Sequence, residues 1–167
     1  MKVRSLVASD QATLWDLLHV ALWDPPPGPQ GVERRAAGLR PREILDHPGV
    51  RIYAEDWGGR PGDVGVIGEI DGQVAGACWM RLVTGGVGMG YVDDETPQLG
   101  IALFPQFQRQ GYGERLMRAA LDAARAHGYR QVSLTVHPQN PAIALYERCG
   151  FVKREIRNTY HLMVKSL

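Results

Sequence analysis

The apolar positions change rhythm several times along this chain. Lys2 to Val7 alternates weakly and predicts a first strand. Trp15, Leu18 and Leu22 then recur at helical spacing behind Ser9 or Asp10, either of which can cap a helix. Asp24 to Gly31 holds four prolines and two glycines, so that helix must stop there. Glu33 to Asp46 is charged and predicts partial helix around Pro41 to Leu45. Val50 to Trp57, with Ile52, Tyr53 and Trp57 at mixed spacing, predicts one short helix, and Gly58 to Asp63 a turn.

Strands dominate next. Val64 to Ile70 and Gln73 to Val83 flank Asp71-Gly72, a strong two-residue hairpin turn. Gly85 to Gly90 carries four glycines in six residues and reads as a mobile connection. Leu99 to Phe104 is a short apolar run suited to a central buried strand. Gly113 to His127 is the clearest helix, with Met117, Leu121 and Ala124 on one side and Arg115, Arg118, Asp122 and Arg125 on the other. Gln131 to Val136 predicts a strand and Asn140 to Cys149 a helix ended by Gly150. Phe151 to Arg157 and Tyr160 to Val164 predict closing strands. This order predicts an α/β layered fold, with helices covering one curved mixed sheet.

Composition narrows the class. A chain of 167 residues, 44% hydrophobic and 22% charged, predicts one domain over residues 1–167 and excludes wholesale disorder. No apolar run is long enough to cross a bilayer, and Met1 to Asp10 is too poor in apolar residues for a signal peptide. With only Cys78 and Cys149, the expectation is a cytoplasmic protein with two reduced thiols. The net charge of +1 hides a split, −5 up to Gln108 and +6 from Arg109 onward. The chain is thus not a globally basic nucleic-acid binder. Its last third suits an anion and its first part a cation.

The stretch richest in chemistry is Leu99 to Glu114. A buried strand ends at Phe104-Pro105, and a long helix starts from the turn Gln108-Arg109-Gln110-Gly111-Tyr112-Gly113. A helix start has unpaired N–H groups and partial positive charge, so it favours an anion. Glycines at 111 and 113 let a phosphate approach the backbone, and Arg109 adds a charged fork. The same residues also read as a helix that simply begins with glycines. No Walker loop exists, and a dinucleotide fingerprint fails because Leu116 stands where its last glycine would be. The five histidines show no metal-ligand spacing, so no metal is expected. No nucleophile elbow supports hydrolysis.

A second motif, Asn140 to Phe151, reads N-P-A-I-A-L-Y-E-R-C-G-F. Together the two resemble the GNAT superfamily of acetyl-CoA-dependent N-acetyltransferases. Gln108 to Gly113 matches its phosphate turn Q/R-x-x-G-x-G/A, and Ala142, Leu145, Tyr146, Gly150 and Phe151 match its later signature. The resemblance spans Lys2 to Val164. It implies splayed central strands, helices on both faces and a CoA co-substrate. It places Ile101, Ala102 and Leu103 along the pantetheine arm. The N–H groups from Arg109 to Glu114 fall under the pyrophosphate, and Asn140 near the pantetheine. The family often has seven positions from asparagine to tyrosine, whereas Asn140 to Tyr146 spans six. That shortening leaves Asn140 a helix cap as an alternative role, with Gln139 nearer the ligand.

The resemblance implies Tyr146 as general acid, since a phenol with pKa about 10 keeps a proton for a departing thiolate. The alternative is a packing aromatic. Many relatives carry a base as a glutamate on the strand before the phosphate turn, but Gln98 and Gly100 occupy the likely equivalents. Asp93, Asp94 and Glu95 upstream are candidates through water, or else a solvated acidic turn that attracts a cationic substrate; Glu69 is a further candidate. Trp57, Trp79, Arg81 and Tyr91 are candidates for the acceptor side, with Arg81 placed to hold a substrate carboxylate or to stand exposed on its strand. Cys149 reads as packing.

The expected activity is transfer of acetyl from acetyl-CoA to a primary amine of a small molecule, amino acid or peptide, by direct attack in a ternary complex. A CoA-binding module without catalysis is the first alternative, and a nucleotide-binding protein the second. No nucleic-acid or membrane partner is expected. The closing strands Phe151 to Val164 offer an edge for a homodimer.

Overall fold

The computed structural model describes residues 1–23 and 41–167. Seven strands are formed: β1 (Lys2–Ser5), β2 (Val64–Ile70), β3 (Gln73–Arg81), β4 (Gln98–Leu103), β5 (Gln131–Val136), β6 (Val152–Arg157) and β7 (Tyr160–Ser166). The α-helices are α1 (Gln11–Ala21), α2 (Pro48–Arg51), α3 (Tyr112–Ala126) and α4 (Ile143–Arg148). All strands join one sheet in the order β1-β2-β3-β4-β5-β7-β6, and only the β4–β5 pair is parallel.

Strand alternation explains why both faces are covered. Val66, Cys78 and Met80 point to one face, where the α3 stripe of Leu116, Met117, Ala120, Leu121 and Ala124 packs. Ile67, Ala77 and Trp79 point to the other, against Leu14, Leu17 and Leu18 of α1. The β2–β3 turn has Asp71 at φ 49° and Gly72 at φ 78°, the paired left-handed residues that match strand twist. Between β6 and β7, Asn158 and Thr159 repeat that geometry at φ 45° and 72°.

The feature that positions the site is a splay. β4 and β5 meet at Gln98 and Ser133 and then diverge. From Leu99 to Leu103, β4 stays paired with β3 on one side only.

Three expectations change. The helix predicted over Val50 to Trp57 is instead α2, which ends at Arg51, and the chain continues in turns that include Asp56 at φ 49° and Gly58 at φ 81°. The helix predicted from Asn140 starts at Ile143, since the Asn140 side chain accepts the Ala142 N–H and forms a turn first. The glycine run Gly85 to Gly90 is tied down by distant residues. Gln98 bonds the Val87 carbonyl and the Gly90 N–H, Ser133 bonds the Gly90 carbonyl, and Arg157 bonds the carbonyls of Met89 and Tyr91. The Asp24 to Gly31 break and the Glu33 to Arg40 part of the charged stretch lie outside the described residues. The predicted helical turn at Pro41 to Leu45 is present as a tight 3₁₀ turn over Arg42–Asp46.

Candidate active site

The loop after β4 turns at Pro105–Phe107 and delivers the chain to α3. Arg109 and Gly111 both take left-handed backbone, at φ 60° and 81°. Gly111 caps α3 without any side-chain bond, and no N–H from Arg109 to Glu114 meets a protein acceptor among the described residues. A helix of 15 residues therefore begins with its positive end uncapped. A Cβ on Gly113 would come within 3.3 Å of Leu145, so glycine keeps that approach open. The side chains of Gln108 and Gln110 brace the turn, bonding the carbonyls of Leu103 and Gln106. Arg118 and Arg148 both bond Glu114, holding its carboxyl below the usual carboxylate range.

A cavity of about 300 Å³ opens where β4 and β5 part. Leu99, Gly100 and Ile101 of β4 form one wall and Leu134 to His137 of β5 the other. It reaches both faces of the sheet, with Tyr146 of α4 at one end and Leu18, Leu22, Trp23, Val50 and Tyr53 at the other. Of the predicted site residues, Ile101, Asn140, Trp79 and Tyr146 line it. Ala102 and Leu103 continue the unpaired edge of β4.

Tyr146 is buried, its ring meeting Phe151 edge-on at 6.1 Å. Its hydroxyl has no hydrogen-bond partner among the described residues. Burial, and then the neighbouring Cys78, push the phenol above its ordinary value. It therefore holds its proton throughout the neutral range, as a general acid must. Asn140 lines the cavity while its carbonyl oxygen accepts the Ala142 N–H at 2.9 Å. It is not the cap of α4, a place taken by Ala142, but forms the turn that precedes it, and Gln139 does not line the cavity.

Several candidates sit elsewhere. Asp93 accepts from the Glu95 N–H, the Thr96 hydroxyl and Gln131, and the Thr96 bond leads in holding its carboxyl low. Asp94 accepts from the Gly85 N–H and the Tyr91 hydroxyl. With Glu95 they form the corner that starts β4, and none of the three lines the cavity, nor does Tyr91. Glu69 is paired with Arg4 at 2.7 Å. Arg81 is neither exposed nor open to a carboxylate: it is wholly buried, forked onto Asp63 at 2.7 and 2.8 Å and donating to the carbonyls of Ile52 and Glu55. Trp57 is core, its ring 5.4 Å from the Arg81 guanidinium carbon and its N–H on the Leu6 carbonyl.

The sequence reading missed Trp23, Tyr53, His137 and Tyr160, which line the cavity with Trp79. His137 lies 5.6 Å from the Trp23 ring and 5.4 Å from the Tyr160 ring. Its sequence signal was its place just past the end of β5, beside the splay, where α/β sheets open their crevices.

The chain matches the model of the acetyltransferase (GNAT) family over residues 18–151. It is 39% identical over 69 residues to the ribosomal protein bS18-alanine N-acetyltransferase of Escherichia coli (strain K12), covering 41% of this chain and 47% of that one. It is 37% identical over 79 residues to the mycothiol acetyltransferase of Corynebacterium glutamicum (strain R), covering 44% of this chain and 27% of that one. The matched part spans about half the length of the curated relatives, or less. In fold it superposes on yncA of Salmonella typhimurium, solved with its cofactor acetyl-CoA, at TM-score 0.68 and 18% identity over 100% of this chain and 94% of that one.

Proposed function

Because the chain belongs to the acetyltransferase (GNAT) family, we propose that it moves the acetyl group of acetyl-CoA to a primary amine of a small molecule, amino acid or peptide. The observation that carries this reading is the cavity between β4 and β5, with Tyr146 on its wall. The residues present fit the co-substrate. The uncapped start of α3 suits a pyrophosphate, and the one-sided β4 edge suits a pantetheine amide chain. When bound, acetyl-CoA supplies an activated thioester. N–H groups from Arg109 to Glu114 hold the diphosphate, and the backbone of Ile101 to Leu103 aligns the arm. Tyr146 would give its proton to the departing sulfur, worth roughly 10²–10⁴ in rate, and the proton shed by the acylated nitrogen would restore the phenol, directly or through water.

Direct transfer to the amine is supported by the cysteines. Cys78 and Cys149 are both buried, and burial pushes both thiols up, so neither is a ready nucleophile. One sheet takes strands from Lys2 to Ser166, which supports a single domain. The free thiols suit the cytoplasm. Among the described residues, no helix is long and apolar enough to cross a membrane.

Thiol release from acetyl-CoA over a panel of amines, amino acids and peptides, with the product's mass identified, tests the activity. Acetylated product is expected. CoA bound tightly with every acceptor inert would favour the non-catalytic CoA-binding module, a reading motivated by Gln98 and Gly100 standing where many relatives carry a glutamate.

A further inference from the structure

We propose that the acceptor is an α-amino amide on an apolar body, taken up as the free amine rather than as an ammonium ion. This rests on the acetyltransferase reading above. Three observations converge on it. First, among the described residues no Asp, Glu, Lys or Arg lines the cavity. The acidic corner and Arg81, the sequence's candidates for a charged substrate, are engaged in the framework. The acceptor end is walled by Leu18, Leu22, Trp23, Val50, Tyr53 and Tyr160. Aromatic faces attract a cation, but less than the hydration an ammonium gives up on entering.

Second, no side chain of the described lining is set up as a base. His137 is its one imidazole, and its Nδ1 accepts the Gln139 N–H at 3.2 Å. That bond puts the proton of the neutral ring on Nε2, making His137 a donor. The amine must therefore arrive with its lone pair free. An α-amine with pKa about 7.7–8.0 is neutral in roughly one molecule in ten at pH 7, and a lysine amine at about 10.4 in roughly one in 2,500.

Third, one buried donor on this wall is unmatched. The Gln98 oxygen already accepts from Tyr53 and Gly90, and the Asn140 oxygen from Ala142. The Trp79 indole N–H, in contrast, is buried on this wall with no partner. It sits beside Gly100, where a Cβ would come 2.6 Å from the indole. An ammonium brings no acceptor for that indole N–H. A carbonyl next to the amine brings an acceptor, and it also lowers the amine's basicity.

The test titrates CoA-loaded protein calorimetrically at pH 7 with L-phenylalaninamide, a tetrapeptide beginning with phenylalanine, 2-phenylethylamine and spermidine, and then measures acetyl transfer to each. Amide or peptide binding at least about tenfold tighter than 2-phenylethylamine, with spermidine weakest, supports the proposal. Which of the first two leads distinguishes a free amide from a chain terminus. Trp79→Phe should erase severalfold of the amide's advantage and leave CoA affinity unchanged. The ranking of probes stands without that variant, should it fold poorly. The expected ranking without acetyl transfer would sustain this inference and refute the transferase. Transfer to spermidine or 2-phenylethylamine at or above the amide would overturn the inference and keep the transferase. Binding of no probe would overturn it too.

Discussion

Arg81 lies wholly inside the protein, and its partner Asp63 is nearly as buried. Removing one member of such a pair leaves the other uncompensated, so Arg81→Met should cost about 3–5 kcal/mol. Urea unfolding would measure this, and adding Asp63→Leu should recover part of the loss. Tyr53 makes a pH prediction. Burial pushes its phenol up to about 12, while its hydroxyl donates to Gln98. The folded state favours the protonated form, so its contribution is complete below the phenol's ordinary value of about 10 and is lost as pH rises through about 12. Alkaline unfolding should therefore be less steep in Tyr53→Phe; an unchanged slope would contradict the assignment. At this scale the structure brings Tyr146, Asn140 and Trp79, which motif and strand alternation had offered as site residues, onto one cavity. It misplaced Arg81 because period-2 alternation says which face a residue takes, not that Asp63 waits there.

Among the elements, α3 and the two hairpins are the most local. The α3 stripe was legible because five apolar residues share one helical face and a glycine pair opens it. The β6–β7 hairpin holds Thr159 at φ 72°, a conformation that costs a β-branched residue roughly 1–2 kcal/mol. Thr159→Gly should therefore stabilise the protein by about 1 kcal/mol, read as a higher melting temperature, with activity unchanged. What was not legible depends on partners far along the chain. Gly85 to Gly90 looks mobile from composition. Its order comes from Gln98, Ser133 and Arg157, up to 68 positions away. The early stop of α2 at Arg51 is likewise announced by no periodicity.

Over the whole molecule, the sign split in the sequence acquires a location for one sign only. Arg109 and Arg115 carry no ion pair among the described residues and stand at the α3 start, while Arg118 and Arg148 share Glu114. An anionic co-substrate there predicts CoA affinity falling severalfold as ionic strength rises from about 0.05 to about 0.5 M, whereas an uncharged acceptor should show little change. Among the described residues, the acidic half gathers no cluster able to hold a metal ion. Its carboxylates hold the Asp93 corner, the Arg4 cluster and Arg81. The fold as a whole was readable because helix and strand periods alternate cleanly. The splay was implied only through the family resemblance, since one pair of contacts, Gln98 with Ser133, decides it. The role of Tyr146 ties these scales together, and one measurement tests it most directly: turnover and CoA affinity of Tyr146→Phe beside the unmodified protein. The hydroxyl has no partner to lose among the described residues, so folding and CoA binding should stay within about twofold while turnover drops by roughly a hundredfold or more. Unchanged turnover would contradict the account.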